Sequence, residues 1–292
     1  MGFTLWIVPR VRFAPSPTGH LHLGHAYSAW RNWQEKGDGS FLLRIEDIDA
    51  RSKPEFEVDL LEDLAWLGFE PSEDVVRQSS RGALYGKALD QLKQSGLMYP
   101  CFCSRKQIKE ELERLGSAPQ SDGVLSLGSP YPGTCKKIVA KSARNRVNIG
   151  EPHVWRLDLA AAVARYGAPS FLSADGVRTP AALDRASDPI LGRRDTPFSY
   201  HLCCVVDDAD QGIELVIRGR DLLPAVGIHR LIQQILDLAE PRYLHHPLVL
   251  SESGERLSKR TGARSIREYR REALTPDQVI QKAISQLENS VD

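Results

Sequence analysis

The sequence has no apolar run long enough to cross a membrane. It also has no net charge, with 38 basic and 38 acidic residues. The first absence argues against an integral membrane protein. The second removes any global electrostatic case for nucleic acid and leaves only local patches: "CKKIVAKSARNR" (135–146), "GRR" (192–194) and "REYRRE" (267–272). The start, "MGFTLWIVPRVRF", lacks the basic region and the small-residue cleavage site of an export signal, and reads as a first strand. Its Met-Gly lacks the Ser/Thr that a myristoylation signal requires. A cytoplasmic location is therefore expected. Cysteine is scarce and odd in number, five in 292 residues. Without an export signal, that argues against a disulfide framework and for metal binding or burial. There is no internal repeat and no low-complexity tract.

What is present is a globular composition, 41% hydrophobic and 26% charged, in a chain longer than one small core needs. The first hundred residues alternate strand and helix. "RVRFAPS" ends a strand in turn residues, and Leu23, Ala26, Trp30 and Trp33 have helical spacing. "SFLLRIEDID" is an apolar strand running into acids. Ser52 and Glu55 suggest a capping box with Pro54 in the first turn, ahead of a helix face of Phe56, Leu60, Leu61, Leu64 and Leu67 that Gly68 ends. A further helix is expected over 80–94. This order predicts an α/β fold with a parallel sheet. From Tyr99 a charged helix and a Gly/Ser/Pro-rich loop suggest an insertion with little core of its own. Near residue 196 the α/β texture returns: "FSYHLCCVVDDADQGIELVIRG" reads as two strands around an acidic turn. Ile228, Leu231, Ile232, Ile235 and Leu236 then mark an amphipathic helix, and the last 30 residues look helical.

Two short stretches carry chemistry. "RFAPSPTGHLHLGH" (12–25) holds His20, His22 and His25, but no nearby carboxylate completes a familiar metal pattern. The alternative is a strand, a turn at "PSPTG" and a helix beginning near His22. Free N–H groups and the helix dipole at such an N-terminus suit an anion, with Gly24 allowing close approach. "RLSKR" (256–260) offers Lys259 on a loop, a natural partner for charge on a transferring phosphate. Cys101, Cys103 and Cys135 supply three candidate thiolates for a tetrahedral metal. The fourth ligand is open between His153, the closest histidine, and Tyr131, four residues before Cys135. Cys203 and Cys204, read as neighbours on a strand, would face opposite sides and be buried.

Taken together, "HLGH" and "RLSKR" resemble the two signatures of class I aminoacyl-tRNA synthetases. "RFAPSPTGHLHLGH" with "RIEDID" (44–49), "YHLCCVVDD" and "LVIRGRDLL" is similar to the glutamate and glutamine members. The resemblance implies a Rossmann-like parallel sheet (1–98 and 196–250), an inserted zinc-containing, RNA-contacting subdomain (99–195) and a loop with a short helical C-terminal part (251–292). It implies that His22, His25 and Lys259 are catalytic, and that ATP, with Mg2+, meets His22, Gly24, His25 and Lys259. Arg256 and Arg260 replace the commonest residues of the loop signature. Glutamate would meet Arg12, Phe13, Ala14, Pro15, Ser16, Glu46, Tyr200 and Arg218: Arg12 at the side-chain carboxylate and Glu46 at the ammonium. An unpaired arginine would be costly in a glutamine enzyme, so glutamate is preferred.

The resemblance also favours a structural zinc on Cys101, Cys103, Tyr131 and Cys135. The segment after Lys259 is short, so no anticodon-binding domain is expected. That layout is similar to the short branch of the family that transfers glutamate to the queuosine base in the anticodon stem-loop of tRNA(Asp), expected to act as a monomer. Two other outcomes stay open: a glutamyl-tRNA synthetase catalytic fragment charging the tRNA 3′ end, and a non-catalytic RNA-binding paralogue.

Overall fold

The structure is a computed structural model and describes residues 8–115, 130–183, 186–193, 198–251, 254, 257 and 263–287. In chain order the first elements are β1 (Val11–Phe13), α1 (Leu23–Glu35), β2 (Phe41–Ile45), α2 (Pro54–Trp66) and β3 (Val76–Arg77). There follow α3 (Gly82–Gln94), β4 (Met98–Cys101), α4 (Arg105–Arg114), α5 (Ala140–Asn148), β5 (Val154–Leu157) and α6 (Leu159–Tyr166). Then come β6 (Ser170–Ser173), β7 (Arg178–Pro180), β8 (Ile190–Gly192), α7 (Tyr200–Asp210) and β9 (Leu215–Gly219). The last are α8 (Val226–Ile235), β10 (Arg242–His246), α9 (Ile266–Arg271) and α10 (Pro276–Ser285). The chain divides into two compact units: residues 1–80, 212–220 and 241–292, and residues 81–211 and 221–240.

In the first unit the strands run in the order β3-β2-β1-β9-β10, every neighbouring pair parallel. β2, "FLLRI", is buried at every position, as a strand covered on both faces must be. From β1 the chain steps outward to β2 and β3, then returns on the other side to β9 and β10. β1 and β9 therefore flank the point where strand order reverses, and groups at the carboxyl ends of these strands face the crevice where such sheets bind ligands. Helix α1 packs on β1, β9 and α10, with Leu23, Ala26, Tyr27 and Ala29 buried. In α2 the inward residues are Leu60, Asp63 and Leu64. The predicted capping box does not form: Lys53 is the N-cap without a side-chain bond, and the buried Ser52 hydroxyl has no partner among the described residues. Pro54 in the first turn fixes the backbone there instead.

The second unit is built around the antiparallel sheet β4-β5-β8 and a separate antiparallel hairpin, β6 with β7. Helices α3 and α7 are tied by a buried charge. Asp207 is fully buried and accepts from Arg81 Nε at 2.7 Å and from the Tyr85 hydroxyl at 3.0 and 2.9 Å. Helix α8 buries the predicted Ile228, Leu231, Ile232 and Ile235, and Leu236 follows.

One expectation is overturned here. "YHLCCVVDDAD" is not a strand but α7, started by Ser199, whose hydroxyl accepts from Leu202 N–H at 3.4 Å. Cys203 and Cys204 are buried as expected, but on successive positions of a helix enclosed from His201 to Asp208, not on opposite faces of a strand. The reading of 99–195 as poor in core also missed β4, β5 and β8.

Candidate active site

β1 delivers Arg12 to the interior of the first unit, where its Nη1 donates to the Ile217 carbonyl at 3.3 Å. The turn that follows is stitched to the end of β2: Glu46 N–H donates to Pro15 O at 3.0 Å, and Lys53 N–H donates to Pro17 O at 3.0 Å. Phe13 and Pro15 are buried, and Ala14 and Ser16 half-buried. Glu46, itself buried, has the fully buried Arg44 guanidinium at 3.5 Å.

Two strands away, Arg218 near the end of β9 donates from Nε to His245 Nε2 at 3.2 Å, the two residues being register partners across β9 and β10. Burial, then the charges of Arg218, His246 and Arg12, push His245 down to about 3. It is therefore a neutral acceptor with its proton on Nδ1. Two buried guanidiniums beside an imidazole that cannot share their charge form a positive cluster, and the buried acid Glu46 lies in the same unit. The sequence reading placed Arg12, Glu46 and Arg218, and the structure brings them into this one unit. It missed His245. The dipeptide His245-His246 at the end of an apolar segment is the only signal that could have found it.

His22 and His25 perform a second task at the turn. His22 is the N-cap of α1: its Nδ1 accepts from Gly24 N–H at 3.1 Å, while His25 Nδ1 accepts from His22 N–H at 3.2 Å. This is a reciprocal capping box built from two imidazoles, with ring centroids 3.9 Å apart. Accepting through Nδ1 fixes the tautomer, so Nε2 carries the proton each neutral ring can donate. Gly24 is needed here for an unexpected reason. A Cβ would meet His22 Cε1 at 3.1 Å and Nδ1 at 3.2 Å, so the missing side chain makes room for the capping ring.

His20 points elsewhere, with Nδ1 3.0 Å from Asp59 Oδ2. Lys259, Arg256 and Arg260 lie outside the described residues. Tyr200 is the first residue of α7 in the second unit, where its ring lies 5.7 Å from His201 and 5.8 Å from His229. Those two histidines are joined at 3.1 Å.

Also in the second unit, the sulfurs of Cys101, Cys103 and Cys135 lie within 4.8 Å of one another, Cys103 and Cys135 at 3.3 Å. Tetrahedral Zn–S bonds of about 2.3 Å place thiolates roughly 3.8 Å apart, so the donor set fits. The Tyr131 hydroxyl accepts from Cys135 N–H at 2.8 Å. Burial opposes ionisation of Cys101, but hydrogen bonds from Tyr131, Arg156 and the Cys103 backbone outweigh it and hold that thiol below the ordinary range. Burial and the neighbouring sulfurs push Cys103 up to about 12. The lone sulfurs thus crowd one another in the way a shared cation would relieve. His153 bonds the Glu151 carbonyl at 2.8 Å and packs against Phe102 and Trp155. Among the described residues no histidine or carboxylate joins the three thiols.

Residues 9–286 match the family of tRNA synthetases class I (E and Q), catalytic domain. The chain is 43% identical over 274 residues to a glutamyl-Q tRNA(Asp) synthetase of Rhodobacter capsulatus, covering 91% of this chain and 96% of that protein. It is 38% identical to glutamate–tRNA ligase 2 of a Methylobacterium species, covering 95% of this chain and 60% of that protein. A glutamate tRNA ligase from Elizabethkingia meningosepticum, solved in complex with its amino acid, superposes with a TM-score of 0.70 at 26% identity, covering 87% of this chain and 52% of that one. With the parallel sheet, the two-histidine turn and the buried arginines of the first unit already in place, this extent of match decides the family: the chain belongs to the class I (E and Q) tRNA synthetases and comprises their catalytic domain.

Proposed function

We propose that this protein activates glutamate with ATP and transfers the glutamyl group to the queuosine base in the anticodon of tRNA(Asp). The observation that carries the amino-acid choice is the group formed by buried Arg12 and Arg218 with half-buried, neutral His245 on the neighbouring strands β1, β9 and β10. It favours a substrate with a side-chain carboxylate over an amide. Arg12 and Arg218 bind that carboxylate, Glu46 meets the α-ammonium, and Phe13, Ala14, Pro15 and Ser16 line the turn. The choice of acceptor is supported by the relatives named glutamyl-Q tRNA(Asp) synthetase, which the chain matches over most of their length.

ATP lies against the start of α1. Its phosphates take hydrogen bonds from His22 and His25 Nε2–H and approach the backbone closely at Gly24, with Lys259 on the pyrophosphate side and Mg2+ accompanying the nucleotide. A glutamate carboxylate oxygen attacks the α-phosphorus and pyrophosphate leaves. A hydroxyl of the queuosine ring then attacks the acyl carbon and AMP departs. Most of this work is positioning and charge stabilisation. Cys101, Cys103, Tyr131 and Cys135 would hold a zinc ion whose contribution is structural. Residues 99–195 are the RNA-contacting part, and the reaction takes place in the cytoplasm, where the tRNA is.

The test is glutamate-dependent ATP–pyrophosphate exchange without RNA, followed by transfer to queuosine-containing tRNA(Asp), unmodified tRNA(Asp) and tRNA(Glu). Exchange, with alkali-labile glutamate only on the queuosine tRNA, is the expected result. Charging of tRNA(Glu) would replace this reading with that of an ordinary glutamyl-tRNA synthetase. Absence of exchange would leave a non-catalytic RNA-binding protein.

A further inference from the structure

Between Cys135 and Gly150 the chain has five basic residues and no acidic one, although its overall charge is zero. The structure splits these five cations by task. Lys136, on the surface, is paired within the second unit, 2.9 Å from Asp158 and 2.7 Å from Asp188. Arg146 lies over the Phe102 ring, 3.9 Å from its centroid, and donates from Nε to Glu151 at 2.6 Å. Together with buried Ala143, and with Ile138 packed against Cys101, Tyr131 and Cys135, these two contacts lock α5 in place.

The other three, Lys137, Lys141 and Arg144, are exposed and form no ion pair among the described residues. Lys141 and Arg144 are three positions apart, so they share one face of α5. Glu111, the acid that feels Lys137, is paired with Arg114 at 2.6 Å. The contrast with α4 is direct. That helix is as exposed, but Lys106 and Lys109 are matched by Glu110 and Glu113 one turn on. Two large aliphatic side chains, Val139 and Ile149, stand 73% and 80% exposed at the two ends of α5.

We infer that this face of α5, together with the turn that leads into it, is an RNA-backbone dock, in which Lys137 of the turn and Lys141 and Arg144 of the helix contact phosphates of the tRNA stem-loop. The inference rests on the reading of the protein as acting on tRNA, and it names the surface that grips it. A rigid helix with two unmatched cations, a third just before its start, and neighbouring acids already paired with Arg114 and Arg146 suits a polyanion; neutralising phosphates releases counterions, so the contribution depends on salt. Stem-loop recognition of this kind is by shape and backbone, so the dock does not discriminate sequence.

The experiment compares the wild-type chain with Lys137→Ala/Lys141→Ala/Arg144→Ala, and with Lys106→Ala/Lys109→Ala as the matched-charge control. Binding of queuosine-containing tRNA(Asp), a tRNA(Asp) transcript and tRNA(Glu) is measured by fluorescence anisotropy from 50 to 300 mM salt (a salt range of order the one over which such contacts are lost). The triple variant should bind at least 10-fold more weakly at low salt, and its log K against log salt slope should be shallower by about 2. Its glutamate-dependent pyrophosphate exchange and its Tm should match wild type, and the α4 control should bind as wild type. An unchanged slope in the triple variant would overturn the dock, as would a wild type that binds none of the three RNAs. So would loss of binding to phosphatidylserine vesicles with RNA binding intact, which would make the face a membrane contact. Failure of glutamate transfer with the slope change present would instead sink the proposed acceptor and leave the dock standing.

Discussion

Asp59 of α2 and Arg267 of α9 form an ion pair through Asp59 Oδ1, while Asp59 Oδ2 meets His20 at 3.0 Å. One carboxylate thus joins the turn before α1 to the helix that follows the "RLSKR" segment. The backbone repeats the connection: Ile266 N–H donates to Leu21 O at 2.8 Å, and His22 and Ser265 form an isolated bridge. Asp59→Asn should lower stability by about 1–2 kcal/mol and raise the KM for ATP several-fold while leaving the KM for glutamate near wild type. Thermal denaturation and pyrophosphate exchange check this. A lowered Tm with both KM values unchanged would reduce the carboxylate to a structural tie. His20→Ala, removing a half-exposed partner, should cost less than about 1 kcal/mol.

One turn further along α2 lies Asp63, fully buried, with neither carboxylate oxygen hydrogen-bonded among the described residues. Burial raises it to about 6, against the attraction of Arg267 and Arg270. The folded state therefore holds this proton more tightly than the unfolded chain. Asp63 opposes folding increasingly as pH rises from about 4 to about 6, and the cost, roughly 3 kcal/mol, is fully present above that. Asp63→Asn should raise Tm at pH 8 and leave it unchanged near pH 4. Melting curves across that range decide it, and an equal shift at both pH values would point away from ionisation.

Gly24→Ala tests the cap. Gly24 lies in the first turn of α1, and the new Cβ would crowd the His22 ring that caps it. The variant should lose about 1 kcal/mol of stability with the cap and at least 10-fold in pyrophosphate exchange. An unchanged Tm with activity retained would contradict the capping geometry.

Arg218→Lys keeps the charge but not the planar donor that meets His245 at 3.2 Å. The KM for glutamate should rise roughly 10–100-fold, equivalent to about 1.4–2.7 kcal/mol, with a smaller effect on the KM for ATP. Because His245 stays neutral at every pH above about 3, it should add no step to the pH profile between 6 and 8. Steady-state exchange kinetics at several pH values measure both.

The thiol cluster predicts about one zinc per chain by elemental analysis after gentle purification. Cys103→Ser should lower that content, and a chelator should reduce the Tm of wild type more than that of the variant. Wild-type protein that carries no metal would leave three crowded thiols without a cation.

The parallel sheet and the placement of Arg12, Glu46, His22 and His25 were legible because short, special stretches end or begin regular elements there. The start of α1 is marked by a turn, a capping side chain and helical spacing. Helix α7 was not legible. Its residues from His201 to Asp208 are all buried, so no hydrophobic period distinguishes helix from strand, and Val205-Val206 pulls a local reading toward strand. β4, β5 and β8 are three or four residues long, too short to display alternation. His245 escaped because its importance comes from Arg218 on a neighbouring strand, a long-range pairing that sequence spacing does not encode.

Arg12, Arg218 and His245 sit on the consecutive strands β1, β9 and β10, which hydrogen bonding holds about 4.8 Å apart. The spacing of these three positions is therefore ruled by the backbone, and a side-chain exchange leaves the three strands where they are. Redirecting the proposed glutamate site to a shorter or longer amino acid must be done by the reach of side chains across a fixed span. Exchanges of length at positions 12 and 218 are the economical route, and loop redesign around them is not.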